Sequence, residues 1–240
     1  MIFRQLLHTD PIAASYVFGC GGHSVCAVVD PLDDVDVYVR VAAESRMQIR
    51  YVIDTHVHAD HVSGGRMLAS RVGAEYLLHA SVATDQTKGV VGGEQIVMGN
   101  VVIEVVHTPG HTPEHICLMV SDRTRGVEPW MVLTGHTLMV GDMGRTELAS
   151  QADEGARMLY ESAQRLRDLP DHVEVWPGAF AGSVCGRALS GKPSSTIGFE
   201  RRFNRTFRLD DRDEFVTAML REIPAPPPDA AKIRAINLAA

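Results

Sequence analysis

The amino-acid sequence predicts an α/β fold in one domain, and three observations point there. An apolar strand at Cys26–Asp30, a helix at Asp33–Arg46 and a second strand at Ile49–Asp54 follow in succession, the start of an α/β layer. The chain has 240 residues, 45% hydrophobic and 22% charged, enough to bury one sizeable core without disulfide or metal staples. Histidines stand at the ends of three expected strands, where α/β proteins place their sites because the sheet is rigid and the loops beyond it are free to vary.

Phe3–His8 and Ser15–Gly19 pattern as short strands, and Gly21-Gly22 turns the chain into Cys26–Asp30, which stops at Pro31. Asp33–Arg46 puts Val35, Tyr38, Val39 and Ala42 on one stripe, the period of an amphipathic helix. After Ile49–Asp54 come a short helix at Gly64–Val72, a strand at Tyr76–His79, and a hairpin of Gln95–Met98 with Val101–His107 around Gly99-Asn100. Strands at Ile116–Ser121 and Trp130–Thr134 flank the polar loop Asp122–Glu128. Glu154–Leu169 is an amphipathic helix, Val173–Trp176 the last strand, and Pro193–Asn204 and Arg212–Glu222 are helices. The Pro-Ala-Pro-Pro-Pro run at 224–228 opens a C-terminal tail over 224–240, and residues 1–240 read as one unit without internal repeats.

The chemistry concentrates in Thr55–Val62, T-H-V-H-A-D-H-V, directly after the apolar Tyr51-Val52-Ile53. Side chains of an extended segment repeat every second residue, so His56 and His58 are expected to share one ion. Asp60 and His61, past the strand end, are expected to face a neighbouring position. Imidazole suits zinc and iron, and an adjacent carboxylate adds a hard donor or a base. His111, in T-P-G-H-T, and His136, in T-G-H, end two further strands. His107 and His115 lie within or at the start of strands and read as structural.

The formal net charge is −7, which excludes the basic stripe that phosphate backbones require, and Arg201, Arg202 and Arg205 read as a solvated helix face. Cys20, Cys26, Cys117 and Cys185 contain no C-x-x-C pair, which fits a reducing compartment. The N-terminus lacks the layout of a secretory signal and no apolar run approaches spanning length. A cytoplasmic protein without nucleic-acid or membrane partners is expected, with homodimerisation left open.

The spacing H-x-H-x-D-H after a strand resembles the signature of the metallo-β-lactamase superfamily. Thr108–Thr112 (T-P-G-H-T), Leu133–Arg145 (L-T-G-x-T-L-x-V-G-D-x-G-R), Trp176–Gly186 (W-P…A-G-S-V-C-G) and Lys192–Asn204 (K-P-S-S-T-I-G-F-E-R-R-F-N) look like its persulfide dioxygenase branch. The resemblance covers nearly the whole chain and implies an αββα sandwich holding one Fe(II) by two histidines and an aspartate. The matching positions are His56, His111 and, in place of the aspartate, His136. Where the family has a late histidine two residues after a proline, this chain has Ala179. Asp60 and His61 would then be the only protein donors to a second ion, so a mononuclear site is expected. Its ligands are either His56, His58 and His111, which suits tetrahedral Zn(II), or a set that includes His136.

The function that follows is oxidation of a small-molecule thiol persulfide of the glutathione type to sulfite and thiol. Arg145 either neutralises an anionic substrate or forms a structural ion pair. Cys185 either handles sulfane sulfur or is a small buried hydrophobe. Two alternatives stand beside this reading. One is a Zn(II) hydrolase of a thioester or lactone, with Asp60 orienting the attacking water. The other is a non-catalytic member that has kept the fold and lost the chemistry.

Overall fold

The computed structural model describes residues 1–221, 223 and 225–239. Its first sheet runs in chain order: β1 (Ile2–Thr9), β2 (Ile12–Cys20), β3 (Val25–Val29), β4 (Gln48–Ile53), β5 (Glu75–His79) and β6 (Lys88–Val90). The first three strands pair antiparallel, whereas β3–β4, β4–β5 and β5–β6 are parallel. Parallel neighbours need a crossover, and α1 (Asp36–Glu44) and α2 (Gly65–Val72) supply the first two.

The second half follows with β7 (Gln95–Met98), β8 (Val101–His107), β9 (Ile116–Asp122) and β10 (Met131–Gly135), then a small ribbon of β11 (Leu138–Met139) and β12 (Asp142–Met143). Next come α3 (Ala152–Arg167), β13 (Glu174–Pro177), β14 (Ser195–Thr196), α4 (Ile197–Phe203), α5 (Arg212–Leu220) and α6 (Ala230–Leu238). The second sheet is ordered β14-β13-β10-β9-β8-β7, with β10 and β13 parallel across α3.

Alternation along the strands builds the layers. In β3, Ala27 and Val29 face the other sheet, while Cys26 and Val28 pack with Tyr38 and Leu68 under α1 and α2. In β10, Met131 and Leu133 point between the sheets, while Val132 packs with Leu159 and Phe215 under α3 and α5. Helix, sheet, sheet and helix therefore stack around three apolar layers, the expected αββα sandwich.

Three local readings differ. Pro193–Asn204 is not one helix: Ser195 and Thr196 pair with the edge of β13, and Thr196 then caps α4 by accepting from the Phe199 N–H at 3.2 Å. The short strands β6, β11 and β12 had no legible apolar alternation. The C-terminal segment is not a plain tail, because α6 returns to the histidine loop. Residues 222, 224 and 240, within the expected helix end and tail, lie outside the described residues.

Candidate metal centre

The ends of β4, β8 and β10 meet at one place, and each brings a histidine. His56, His111 and His136 are about 1% exposed, with potential ligand atoms within 4.8 Å of one another. Their ring centroids form a nearly equilateral triangle: His56–His111 4.9 Å, His56–His136 4.8 Å and His111–His136 4.9 Å. Gly135 makes the last approach possible. Its φ is +48°, and a Cβ there would stand 2.5 Å from His115 Nε2 and 2.6 Å from Thr55 Oγ1.

Fixed partners orient these rings. Thr55 Oγ1 donates to Asp30 Oδ2 at 2.9 Å, so its contact with His56 Nδ1, also 2.9 Å, is accepted from the ring N–H. His111 Nδ1 donates to the Arg145 carbonyl at 2.7 Å. Both rings thus turn the Nε2 lone pair inward, the arrangement metal-binding imidazoles need. The His136 backbone N–H donates to His115 Nε2 at 3.1 Å, and its Nδ1 lies 3.2 Å from His111 Nε2. Burial pushes the imidazolium forms down, well below the ordinary value for His56, to about 3 for His111 and about 4 for His136, with neighbouring histidines adding to the effect. All three are neutral bases at pH 7.

His58, Asp60 and His61 form a second group of ligand atoms within 4.8 Å. His58 is therefore not brought into the His56–His111–His136 group, although its ring centroid is 4.2 Å from that of His56. Two-residue alternation holds only in an extended strand; β4 ends at Ile53, and the loop beyond turns. His58 Nε2 instead meets Asp30 Oδ1 at 3.3 Å. Burial alone would lower its imidazolium, but the Asp30 bond and the charges of Asp30, Asp54 and Asp60 prevail and raise it to about 9. Burial would likewise raise Asp60, but His61, 3.0 Å away, His136 and His58 hold its carboxyl well below the usual range.

Orphaned atoms test whether this centre fits a metal. Among the described residues, His56 Nε2 in the triangle and His61 Nε2 in the second group are buried with no hydrogen-bond partner. Buried polar atoms cost free energy unless paired, and an unpartnered His56 nitrogen beside two further neutral imidazoles matches the donor set of a cation.

A family profile described as the Metallo-beta-lactamase superfamily matches residues 9–178, a span that contains both histidine groups. The chain belongs to that superfamily. It is 24% identical over 222 residues to the mitochondrial persulfide dioxygenase ETHE1 of Bos taurus, covering 91% of this chain and 80% of the relative. It is 28% identical over 252 residues to a hydroxyacylglutathione hydrolase of a Polaromonas species, covering 92% and 90%. Among solved structures, ETHE1 from Myxococcus xanthus aligns with a TM-score of 0.86 at 29% identity, over 100% of this chain and 99% of that one. A metallo-beta-lactamase from Staphylococcus aureus subsp. aureus COL aligns with a TM-score of 0.93 at 32% identity, over 99% and 72%. These likenesses support the persulfide dioxygenase-like branch of the metallo-beta-lactamase superfamily for this chain. No helix among the described residues is long and apolar enough to cross a membrane.

Other residues singled out in the sequence lie near the centre or away from it. The Arg145 guanidinium is buried, ion-paired to Glu147, and donates to the carbonyls of Val184 (2.9 Å) and Ala225 (3.1 Å). Arg145 makes the ion pair of one expected role, and its carbonyl orients His111. Cys185 Sγ lies 3.6 Å from Asp60 Oδ2, and Asp60, His136 and Cys185 form a further close group. Burial, then the Asp60 charge, pushes its thiol well above the ordinary value, so Cys185 is a neutral thiol in the wall of the site. Ala179 is 1% exposed and follows Gly178, whose N–H donates to the Gly135 carbonyl at 2.7 Å. His115, read as structural, supports the His136 loop, and His107 stacks on His79 at 4.2 Å away from the centre.

Sequence reasoning missed Asp30, Glu114, Arg234 and Asn237. Asp30 accepts from the Thr55 N–H (2.7 Å), the Thr55 hydroxyl and His58, from a left-handed backbone (φ 50°) that Asp tolerates. Its signal was present: a carboxylate at the end of a buried strand that pairs in parallel with β4 must find donors there. Glu114 accepts from the Val57 N–H at 3.0 Å and from Arg234, and these long-range partners left no local pattern.

Proposed function

We propose that this chain is a mononuclear, iron-dependent persulfide dioxygenase-like enzyme, with His56, His111 and His136 holding one Fe(II). The observation that carries the reading is the triangle of neutral, buried imidazoles from three strand ends, two with Nε2 turned inward. The sulfur-oxidising branch is favoured because the structure of ETHE1 from Myxococcus xanthus aligns over the full length of both chains. A balanced reaction consumes R–S–SH, O₂ and water and yields R–SH, sulfite and two protons. A ferrous ion at these nitrogens supplies redox chemistry with O₂ and a Lewis-acid position for a sulfur anion. The protein's part is to keep the donors unprotonated, to hold Asp60 as an anion beside them, and to wall the site with the neutral Cys185 thiol. A glutathione-type persulfide is the proposed substrate and a reducing, cytoplasmic setting the proposed location.

The likeness to hydroxyacylglutathione hydrolases favours a second reading, Zn(II)-dependent hydrolysis of a thioester or lactone with Asp60 orienting water. Metal content of anaerobically purified protein, paired with oxygen uptake on glutathione persulfide, separates the two. About one iron per chain with uptake is expected. Zinc with no uptake, together with turnover of a thioester or lactone, would replace the dioxygenase reading by the hydrolase.

A further inference from the structure

The C-terminal helix is stitched to both metal-bearing segments. Arg234 and Asn237 stand three residues apart on one face of α6. Arg234 Nη1 donates to the Val57 carbonyl (2.9 Å) and to Glu114 Oε1 (3.0 Å), and Nη2 to Glu114 Oε2 (3.2 Å). Glu114, 2% exposed, also takes the Val57 N–H, so one carboxylate ties the residue after His56 to the segment three residues beyond His111. Asn237 Nδ2 donates to the carbonyls of His58 and His61, both at 2.9 Å, and its Oδ1 accepts the Ser63 N–H at 3.0 Å. The connection to α6 is anchored as well, where Arg145, whose own carbonyl orients His111, donates to the Ala225 carbonyl.

Such a network does more than add stability. The loop 57–63 has irregular backbone, and its carbonyls at His58 and His61 and its N–H at Ser63 are met by a side chain from the far end of the chain. The family match ends at residue 178, so the clamp comes from outside the matched segment. We propose that Arg234 and Asn237 are positioning residues of the metal centre: α6 clamps the 57–63 loop against Glu114 and thereby sets the spacing of His56 from His111. The inference rests on the metal reading given above.

The experiment compares wild type with Arg234→Gln, Arg234→Lys and Asn237→Ala in the full chain, using Co(II) as the probe. Three signals are read: amide hydrogen exchange across 57–63, the visible Co(II) spectrum, which reports coordination number, and the rate of metal loss to a chelator. Expected are faster exchange, a weakened spectrum and at least about tenfold faster metal loss in Arg234→Gln and Asn237→Ala. Arg234→Lys, which keeps the charge without the two-pronged geometry, should fall between. Unchanged exchange overturns the clamp. Faster exchange with an unaltered cobalt spectrum and loss rate reduces α6 to a structural support and overturns the positioning role. Should Arg234→Gln fail to fold, Asn237→Ala, which strands no charge, decides. Wild type that takes up no cobalt would sink the metal reading, while the exchange data would still report whether α6 holds the loop.

Discussion

His56 and His58 are two residues apart on one loop, yet they have been prepared for opposite tasks. His56 spends one nitrogen on a hydroxyl whose proton is already committed to Asp30, is surrounded by other histidines, and stays neutral with an inward lone pair. His58 faces Asp30, Asp54 and Asp60 and is raised to about 9 despite burial, so at neutral pH it carries a proton where its neighbour offers a lone pair. Residue type alone does not make a ligand; the partner on the second nitrogen decides. The same loop thus presents a ligand-like nitrogen and, beside it, a cation that balances buried carboxylates.

Removing donors on either side of this divide should break the comparison most visibly. His56→Ala and His111→Ala are expected to lose most bound metal, a fall in affinity of at least about 100-fold, whereas His61→Ala should stay within about tenfold of wild type. Metal per chain after extensive dialysis measures both. Full occupancy in His111→Ala, or loss in His61→Ala alone, would transfer the centre to the other group.

A smaller effect is expected at the carboxylate that separates the two histidines. Asp30→Asn keeps the shape but loses the charge, and an amide cannot accept from the Thr55 N–H, the Thr55 hydroxyl and His58 together. The loss of one of the three carboxylates facing His58 and a donor left unpaired should cost about 2–4 kcal/mol of unfolding free energy. Urea unfolding of the metal-free proteins tests this; a change under about 0.5 kcal/mol would mean that Asp30 does not hold the loop.

How much of this was readable beforehand follows from the range of the interactions. The strands were legible because apolar runs such as Cys26–Asp30 and Trp130–Thr134 are local properties of the sequence, while the αββα layering followed from the family resemblance. His56, His111 and His136 were legible as strand-end histidines. The split between His56 and His58 was not, since it depends on Asp30, which reaches the loop only after β3 and β4 pair. Arg145 offered two readings, and the ion pair of one of them is seen only with Glu147 and the loop carbonyls in place. The clamp by α6 spans 177 residues from Arg234 to Val57, and a run of prolines before it gives no hint of a destination.

The most delicate check concerns the thiols, where burial and charge again set two like groups apart. Cys185 packs beside Asp60 and is held protonated, while Cys26 and Cys117 are pushed up to about 12 by burial. Burial would also raise Cys20, but the Asn100 N–H and the His23 ring 3.2 Å from its sulfur outweigh it and bring that thiol down to about 7. The thiolate is the form that alkylates, and it is the major form only above that value. Iodoacetamide at about pH 7.5 should therefore label Cys20 first, at a rate that falls about tenfold for each pH unit below 7, with Cys185 untouched. Labelling of Cys185 at a comparable rate would mean that Asp60 does not keep its neighbour protonated. The Asp60–His136–Cys185 group would then contain a thiolate, and Cys185 would return as a candidate for direct sulfur chemistry.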